Sequence, residues 1–229
     1  MPTGVCCKNS VKHSPMPMGD AFRRFSSPCN DPADHHGLRR RRLLRRSGNL
    51  LLARWRGGQV TRAEERALGF PWTPAVVERG LGSSGATLAA TRDALTRGLG
   101  VNLGGGTHHA YADHAEGFSF LNDVAISARW LLDTGQARRI LILDLDVHQG
   151  NGTAAIFADE PRVLTVSLHA ERNYPFRKET SDLDVPLPDG TDDAAYLHAL
   201  DAQVTPLFGA FPFPASPTGC STTAEATAR

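Results

Sequence analysis

Three short stretches carry residues whose types and spacing can do chemistry. His108 and His109 stand side by side after Gly104-Gly105-Gly106-Thr107. Asp144, Asp146 and His148 alternate with Leu145 and Val147, then run into Gln149-Gly150-Asn151-Gly152. Ser167-Leu168-His169 forms the third stretch. In an extended chain, alternate residues share one face, so the two carboxylates and the imidazole of the second stretch would point the same way. Such oxygen and nitrogen donors suit a hard or borderline divalent cation such as zinc. Glycines before the histidine pair let the backbone turn sharply and approach a ligand closely. Taken singly, each stretch has a plainer reading: a solvated acid or helix cap at a strand end, or surface histidines on a loop.

The elements around these residues tie the stretches together. Residues 139–144 (Arg139-Ile140-Leu141-Ile142-Leu143-Asp144) and 162–168 form nearly unbroken apolar runs of strand length. Runs of that kind belong to parallel strands buried on both faces. Helical spacing is expected over 82–97, with Ser83 or Ser84 as cap, and over 122–132, 152–158 and 192–208. A short strand is expected over 98–103. Strands alternating with helices predict an α/β fold with a mostly parallel sheet sandwiched by helices. Ligands bind beyond the carboxyl ends of such strands, so all three stretches should meet on one rim.

The chain has 229 residues, 41% of them hydrophobic and 21% charged, which suits a folded domain with its own core. A net charge of +1 gives no overall pull toward nucleic acid or a membrane surface. Cys6, Cys7, Cys29 and Cys220 form no C-x-x-C pair, which argues against a thiolate zinc site or a disulfide framework. With neither an export signal nor a spanning segment in view, a cytoplasmic location is the expectation. Composition divides the chain into an irregular Arg- and Pro-containing segment (1–58), an α/β domain (59–208) and a disordered, low-complexity tail (209–229).

Gly105-Gly106-Thr107-His108-His109-Ala110, Gly117-Phe118 through Leu121-Asn122-Asp123, and Asp144-Leu145-Asp146-Val147-His148-Gln149-Gly150-Asn151-Gly152 together resemble the signature of the histone deacetylase superfamily. The Gln-Gly-Asn form is closer to its class IV and bacterial branch, as are Ser167-Leu168-His169 and Asn173-Tyr174-Pro175-Phe176. The resemblance covers about residues 62–208, with a faint echo at Pro15-Met16-Pro17-Met18-Gly19. It implies an arginase/deacetylase-like sheet and zinc-dependent hydrolysis of an acylated lysine peptide or small acylated amine, releasing acetate and the amine.

Residue roles follow from the resemblance. Asp146 and His148 match two zinc ligands. His109 matches the histidine that acts as general base and then acid, and His108 its partner beside the substrate carbonyl, oriented by Asp144. Asn151 stands where an aspartate usually orients the second histidine. An amide raises imidazole basicity less than a carboxylate, so His109 is expected to have a lowered pKa. Gly117 and Phe118 match residues lining the tunnel for the acyl-lysine stem, with Tyr174 on the opposite wall. A monovalent cation, potassium in kind, would be held through Asp144, Asp146, His148, Ser167 and Leu168.

Two family features have no counterpart in these 229 residues: the late Gly/Ala-x-Asp that brings the third zinc ligand, and the Gly-Gly-Gly-Tyr whose tyrosine stabilises the oxyanion. With the Arg-rich interval 38–46 and the Pro/Ser/Thr tail, this leads to the expectation of a truncated or frame-disrupted gene, incomplete on the C-terminal side of the sheet. An inactive remnant or binding module is the alternative. An arginase-like ureohydrolase would use two manganese ions and more carboxylates beside the histidines. A nucleic-acid role for the arginines lacks an accompanying aromatic platform.

Overall fold

The computed structural model of the chain describes residues 48, 50–210 and 223–225. The Arg-rich interval, the Pro15–Gly19 echo, the four cysteines and most of the tail lie outside them. In chain order the elements are α1 (50–56), α2 (Arg62–Leu68), α3 (Pro74–Arg97), α4 (Asp123–Asp133), β1 (Ile140–Asp144), α5 (Asn151–Phe157), β2 (Val163–Ala170), β3 (Leu183–Leu187), α6 (Asp193–Gln203), α7 (Thr205–Ala210) and β4 (Thr223–Glu225). The four strands pair in the order β3-β2-β1-β4, all parallel.

The apolar run of β1 is buried along its whole length because both faces of the sheet are covered. Ile140 and Ile142 pack with Val124, Ala128, Leu131 and Leu132 of α4 and Phe157 of α5. Leu141 and Leu143 point the other way, joining Leu164, Val166 and Leu168 of β2 with Val204 and Leu207. The period of two thus assigns alternate residues to two separate cores. Leu164 is 2% exposed in the second of them. Truncating Leu164 to alanine should cost about 2–5 kcal/mol of unfolding free energy, read by denaturant titration. A third cluster, with Leu51, Trp55, Leu68, Val77 and Phe120, packs α1, α2 and α3 together beside the sheet.

Several expected elements differ in the structure. The helix expected at 82 starts at Pro74, with Thr73 accepting the Val76 N–H as its cap and proline in the first turn, so neither Ser83 nor Ser84 is the cap. The strand expected at 98–103 is absent. Gly98 ends α3 with φ 81°, and the following chain joins no sheet and leaves Leu99, Val101 and Leu103 at 72%, 68% and 100% exposure. The helix expected over 192–208 breaks at Val204 into α6 and α7, because Pro206 offers no N–H to continue the ladder. β3 was not foreseen; Pro186 interrupts its pattern, and the strand occupies the sheet edge where proline is tolerated. Within the segment expected to be a disordered tail, Thr223–Glu225 add a short strand beside β1. Among the described residues no helix is long and apolar enough to cross a membrane.

Candidate active site

The loop carrying the histidine pair is fastened to the first turn of α4. Asn122 caps that helix by accepting the Ala125 N–H at 2.9 Å, and its amide nitrogen donates to the carbonyl oxygens of Ala110 (3.1 Å) and His108 (3.3 Å). Asp123 is wholly buried and accepts from the Thr107 N–H (2.9 Å), the Gly106 N–H (3.2 Å) and the Thr87 hydroxyl (2.5 Å). The Leu121-Asn122-Asp123 motif therefore holds the loop through its backbone. The Gly105 backbone passes so close to Asp123 that a Cβ there would lie 2.6 Å from its carboxylate.

From the opposite side come the residues after β1. That strand ends at Asp144, so the shared-face geometry expected for Asp144, Asp146 and His148 does not arise. A succession of tight turns replaces it: Asp144 accepts the Asp146 N–H at 3.1 Å, and Asp146 accepts the His148 N–H at 2.7 Å. Short polar side chains bonding backbone two residues ahead favour such turns over continued strand. The turns still bring the donors together, with His148 Nδ1 3.1 Å from Asp146 Oδ1.

The two histidines meet two different partners. His108 Nδ1 lies 2.5 Å from Asp144 Oδ2, and His109 Nδ1 lies 2.7 Å from Asn151 Oδ1. Both histidines are buried, and their ring centroids are 4.1 Å apart. His148 faces His109 at 5.7 Å between centroids. A side chain at Gly150 would overlap the Asp144 carboxylate, so glycine is required where the chain passes beneath the pair.

Gly117 and Tyr174 close one side of the His109 ring. The phenol ring stands edge-on to the imidazole, with centroids 4.9 Å apart. Gly117 adopts φ 54°, and a Cβ there would come within 2.7 Å of His109 Cδ2 and 2.9 Å of Tyr174 Cε1. Phe118 also has positive φ, 62°, which is unusual for a bulky residue. The strained turn is held to the end of α2, where the Gly117 and Phe118 N–H groups donate to Ala67 (3.0 Å) and Leu68 (2.7 Å) carbonyls. Phe118 is 69% exposed, and its ring stacks on Phe70, which was not among the expected site residues. Ser167 stands in register with Asp144 on the neighbouring strand, its hydroxyl 3.0 Å from His169 Nδ1, and Leu168 is fully buried.

Burial, reinforced by the neighbouring His108 and His148, pushes the His109 imidazole down to about 4, and the bond to Asn151 opposes that shift. The direction matches the sequence expectation, but burial is the principal cause. At pH 7 His109 is therefore neutral, with one nitrogen free to accept a proton. The same shift makes folding sensitive to acid. Unfolded chain, titrating near 6.5, binds more protons between pH 6.5 and 4 than folded chain does. This contribution to stability is complete above pH 6.5 and falls away toward pH 4, by about 3.5 kcal/mol at about 1.4 kcal/mol per pKa unit. Urea midpoints across that range should fall more steeply for the native chain than for His109→Gln.

Asp146 and His148 are donors of the right type for zinc, whose sites take carboxylate oxygen and imidazole nitrogen. Their number falls short: among the described residues no group of three or more His, Cys, Asp or Glu side chains is arranged to hold a metal. Tyr111, Tyr174 and Tyr196 are all engaged elsewhere, with Glu179, Glu116 and the Leu145 carbonyl respectively.

The family model described as histone deacetylase domain matches residues 47–215. An uncharacterized protein of Picosynechococcus is 50% identical over 143 residues, covering 62% of this chain and 48% of that protein. Histone deacetylase 8 of Arabidopsis thaliana is 33% identical over 167 residues, covering 62% of this chain and 42% of its own length. The chain thus spans about half or less of the curated relatives it matches. Among solved structures, a histone deacetylase homolog from Aquifex aeolicus superposes with TM-score 0.62 at 25% identity, covering 84% of this chain and 59% of that one. Another, a homolog complexed with SAHA, gives TM-score 0.62 at 26% identity over 83% of this chain and 58% of its own. Motif order, parallel sheet and family match agree, and the chain belongs to the histone deacetylase family.

Proposed function

We propose that this chain supplies the base-bearing half of a zinc-dependent deacylase that acts on an acylated lysine peptide or a small acylated amine. The observation that carries this reading is the buried pair of differently partnered histidines, His108 on Asp144 and His109 on Asn151, beside Asp146 and His148. When bound, zinc supplies polarisation of the amide carbonyl and acidification of water. Asp146 and His148 would hold it together with a donor not found among the described residues. A monovalent cation behind that site, on the Asp144 to His148 turn and the Ser167-Leu168 strand end, belongs to the same proposal.

The remaining steps fall to the protein's own groups. His109, neutral and bonded through Nδ1, would use Nε2 to take the proton of an attacking water and return it to the leaving amine. His108, held through Nδ1 by the Asp144 carboxylate, would stand beside the substrate carbonyl and fix the edge of the site next to His109. Gly117 and Tyr174, packed against the His109 ring, would form the wall along which a slender methylene stem lies. Phe118 and Phe70 form an apolar lip where the stem would enter.

The two-donor set favours one alternative, in which the chain binds the acylated stem without turnover. Metal analysis of the purified chain, paired with binding of an acetyl-lysine peptide, separates the two. One zinc per chain with peptide binding supports the deacylase. Peptide binding without metal supports the binding module, and two manganese ions per chain contradict both.

A further inference from the structure

Behind His109 lies a carboxylate to which no role attaches in the reading above. Asn151 uses its oxygen to face His109 Nδ1, at 2.7 Å, and its amide nitrogen to face Glu116 Oε1 at 2.9 Å and the Tyr111 hydroxyl at 3.1 Å. The same Glu116 oxygen accepts the Tyr174 hydroxyl at 2.8 Å. Glu116 is itself fixed by paired backbone bonds to Ser119, at 3.1 and 2.9 Å, just ahead of the Gly117-Phe118 turn.

An asparagine amide has one end that accepts and one that donates, and only its neighbours decide which way it lies. An ionised carboxylate can only accept. Rotating the Asn151 amide by half a turn would press its oxygen against the Glu116 carboxylate. It would also place the Asn151 amide nitrogen against His109 Nδ1, which would then have to accept, moving the ring proton to Nε2. That is the nitrogen a general base needs free. Tyr111 reinforces the arrangement: its hydroxyl donates to Glu179 Oε1 at 3.2 Å, leaving its oxygen to accept from Asn151. Burial and the nearby Glu179 and Glu116 carboxylates raise the Tyr111 phenol well above its ordinary range, so it stays protonated and able to donate.

We propose that Glu116 is a positioning residue that, through Asn151, fixes the proton of His109 on Nδ1 and so keeps Nε2 free, while anchoring Tyr174 at the wall of the same site. An Asn–Glu relay replaces the single carboxylate that could orient a histidine directly, and the charge sits one residue further from the ring. The consequence for turnover rests on the proposed deacylase function. The tautomer itself does not depend on it.

The test compares native chain, Glu116→Gln and the exchanged pair Glu116→Gln/Asn151→Asp at pH 7, by nitrogen-15 NMR of the histidine rings with His109 assigned through His109→Gln. Native His109 should show a single Nδ1–H tautomer. Glu116→Gln, nearly the same shape without charge, frees the amide to turn and should bring a visible Nε2–H population. Moving the carboxylate to position 151 restores an obligate acceptor against the ring and should return His109 to Nδ1–H. Where the chain turns over, kcat should fall about 10- to 100-fold in the single variant and recover in the pair, with KM little changed. An unaltered Nδ1–H tautomer in Glu116→Gln overturns the inference. So does an altered one that the exchanged pair does not restore. A chain that shows the tautomer shift yet hydrolyses nothing upholds the role of Glu116 and counts against the deacylase reading alone.

Discussion

Gly117→Ala should reduce deacylation by about 100-fold or more while leaving the chain folded. A methyl group at that position lies 2.7 Å from the His109 ring and 2.9 Å from the Tyr174 ring, well inside contact distance. Neither ring can retreat freely, because His109 is bonded to Asn151 and Tyr174 to Glu116. The imidazole must therefore shift by several tenths of an ångström or more, and misplacing a catalytic group by about 1 Å costs on the order of 100-fold in rate. The stability cost is smaller. Alanine at φ 54° loses about 1–2 kcal/mol, the ordinary penalty of the left-handed region. Steady-state kinetics alongside thermal melting separates the effects. A variant with native kcat would show that the close packing of Gly117 on His109 does not set the position of the base.

Asp123→Ala should have the largest effect on stability, about 3–5 kcal/mol. Its carboxylate serves the N–H groups of Gly106 and Thr107 and the hydroxyl of Thr87, in a place with no solvent. Removing the acceptor strands these donors, and each buried unsatisfied group costs about 1–3 kcal/mol. Some of that sum is recovered if water enters the vacated space. Asp123→Asn, which keeps one acceptor oxygen, should lose less than half as much. Because the strain falls on the loop before His108, hydrogen exchange at Gly106 and Thr107 should rise even where global unfolding is still rare. Equal losses in the alanine and asparagine variants would show that packing, rather than acceptor count, sets the cost.

The fold was legible where burial imposes a simple pattern. Ile140–Leu143 and Val163–Leu168 read as strands because parallel strands covered on both faces leave no room for polar residues. Residues 98–103 carry a similar signal, yet no described strand lies beside them, and a strand exists only if its backbone has a partner. β3 failed for the opposite reason: pairing with β2 overrides the proline in its sequence because only the inner edge must donate. At the site, the pairings of His108 with Asp144 and of His109 with Asn151 were implied by the family resemblance alone, and those side chains lie 2.5 and 2.7 Å apart. The turns after Asp144 were not foreseen, since alternation of Asp, Asp and His fits an extended chain equally well. Glu116 was invisible for a plainer reason. One acidic residue before a glycine has no periodicity, and its importance arises only when Asn151 and Tyr174 converge on it from distant parts of the chain.

The central claim, that this chain supplies the base of a zinc-dependent deacylase, is tested most directly by turnover of a fluorogenic acetyl-lysine peptide with and without added zinc. The account predicts zinc-stimulated release of the free amine, with an acidic limb near pH 4 set by the buried His109, and loss of about 100-fold or more in His109→Ala. Release that is unaffected by zinc and survives His109→Ala, or no release at any zinc concentration from a chain shown to be folded, would contradict it.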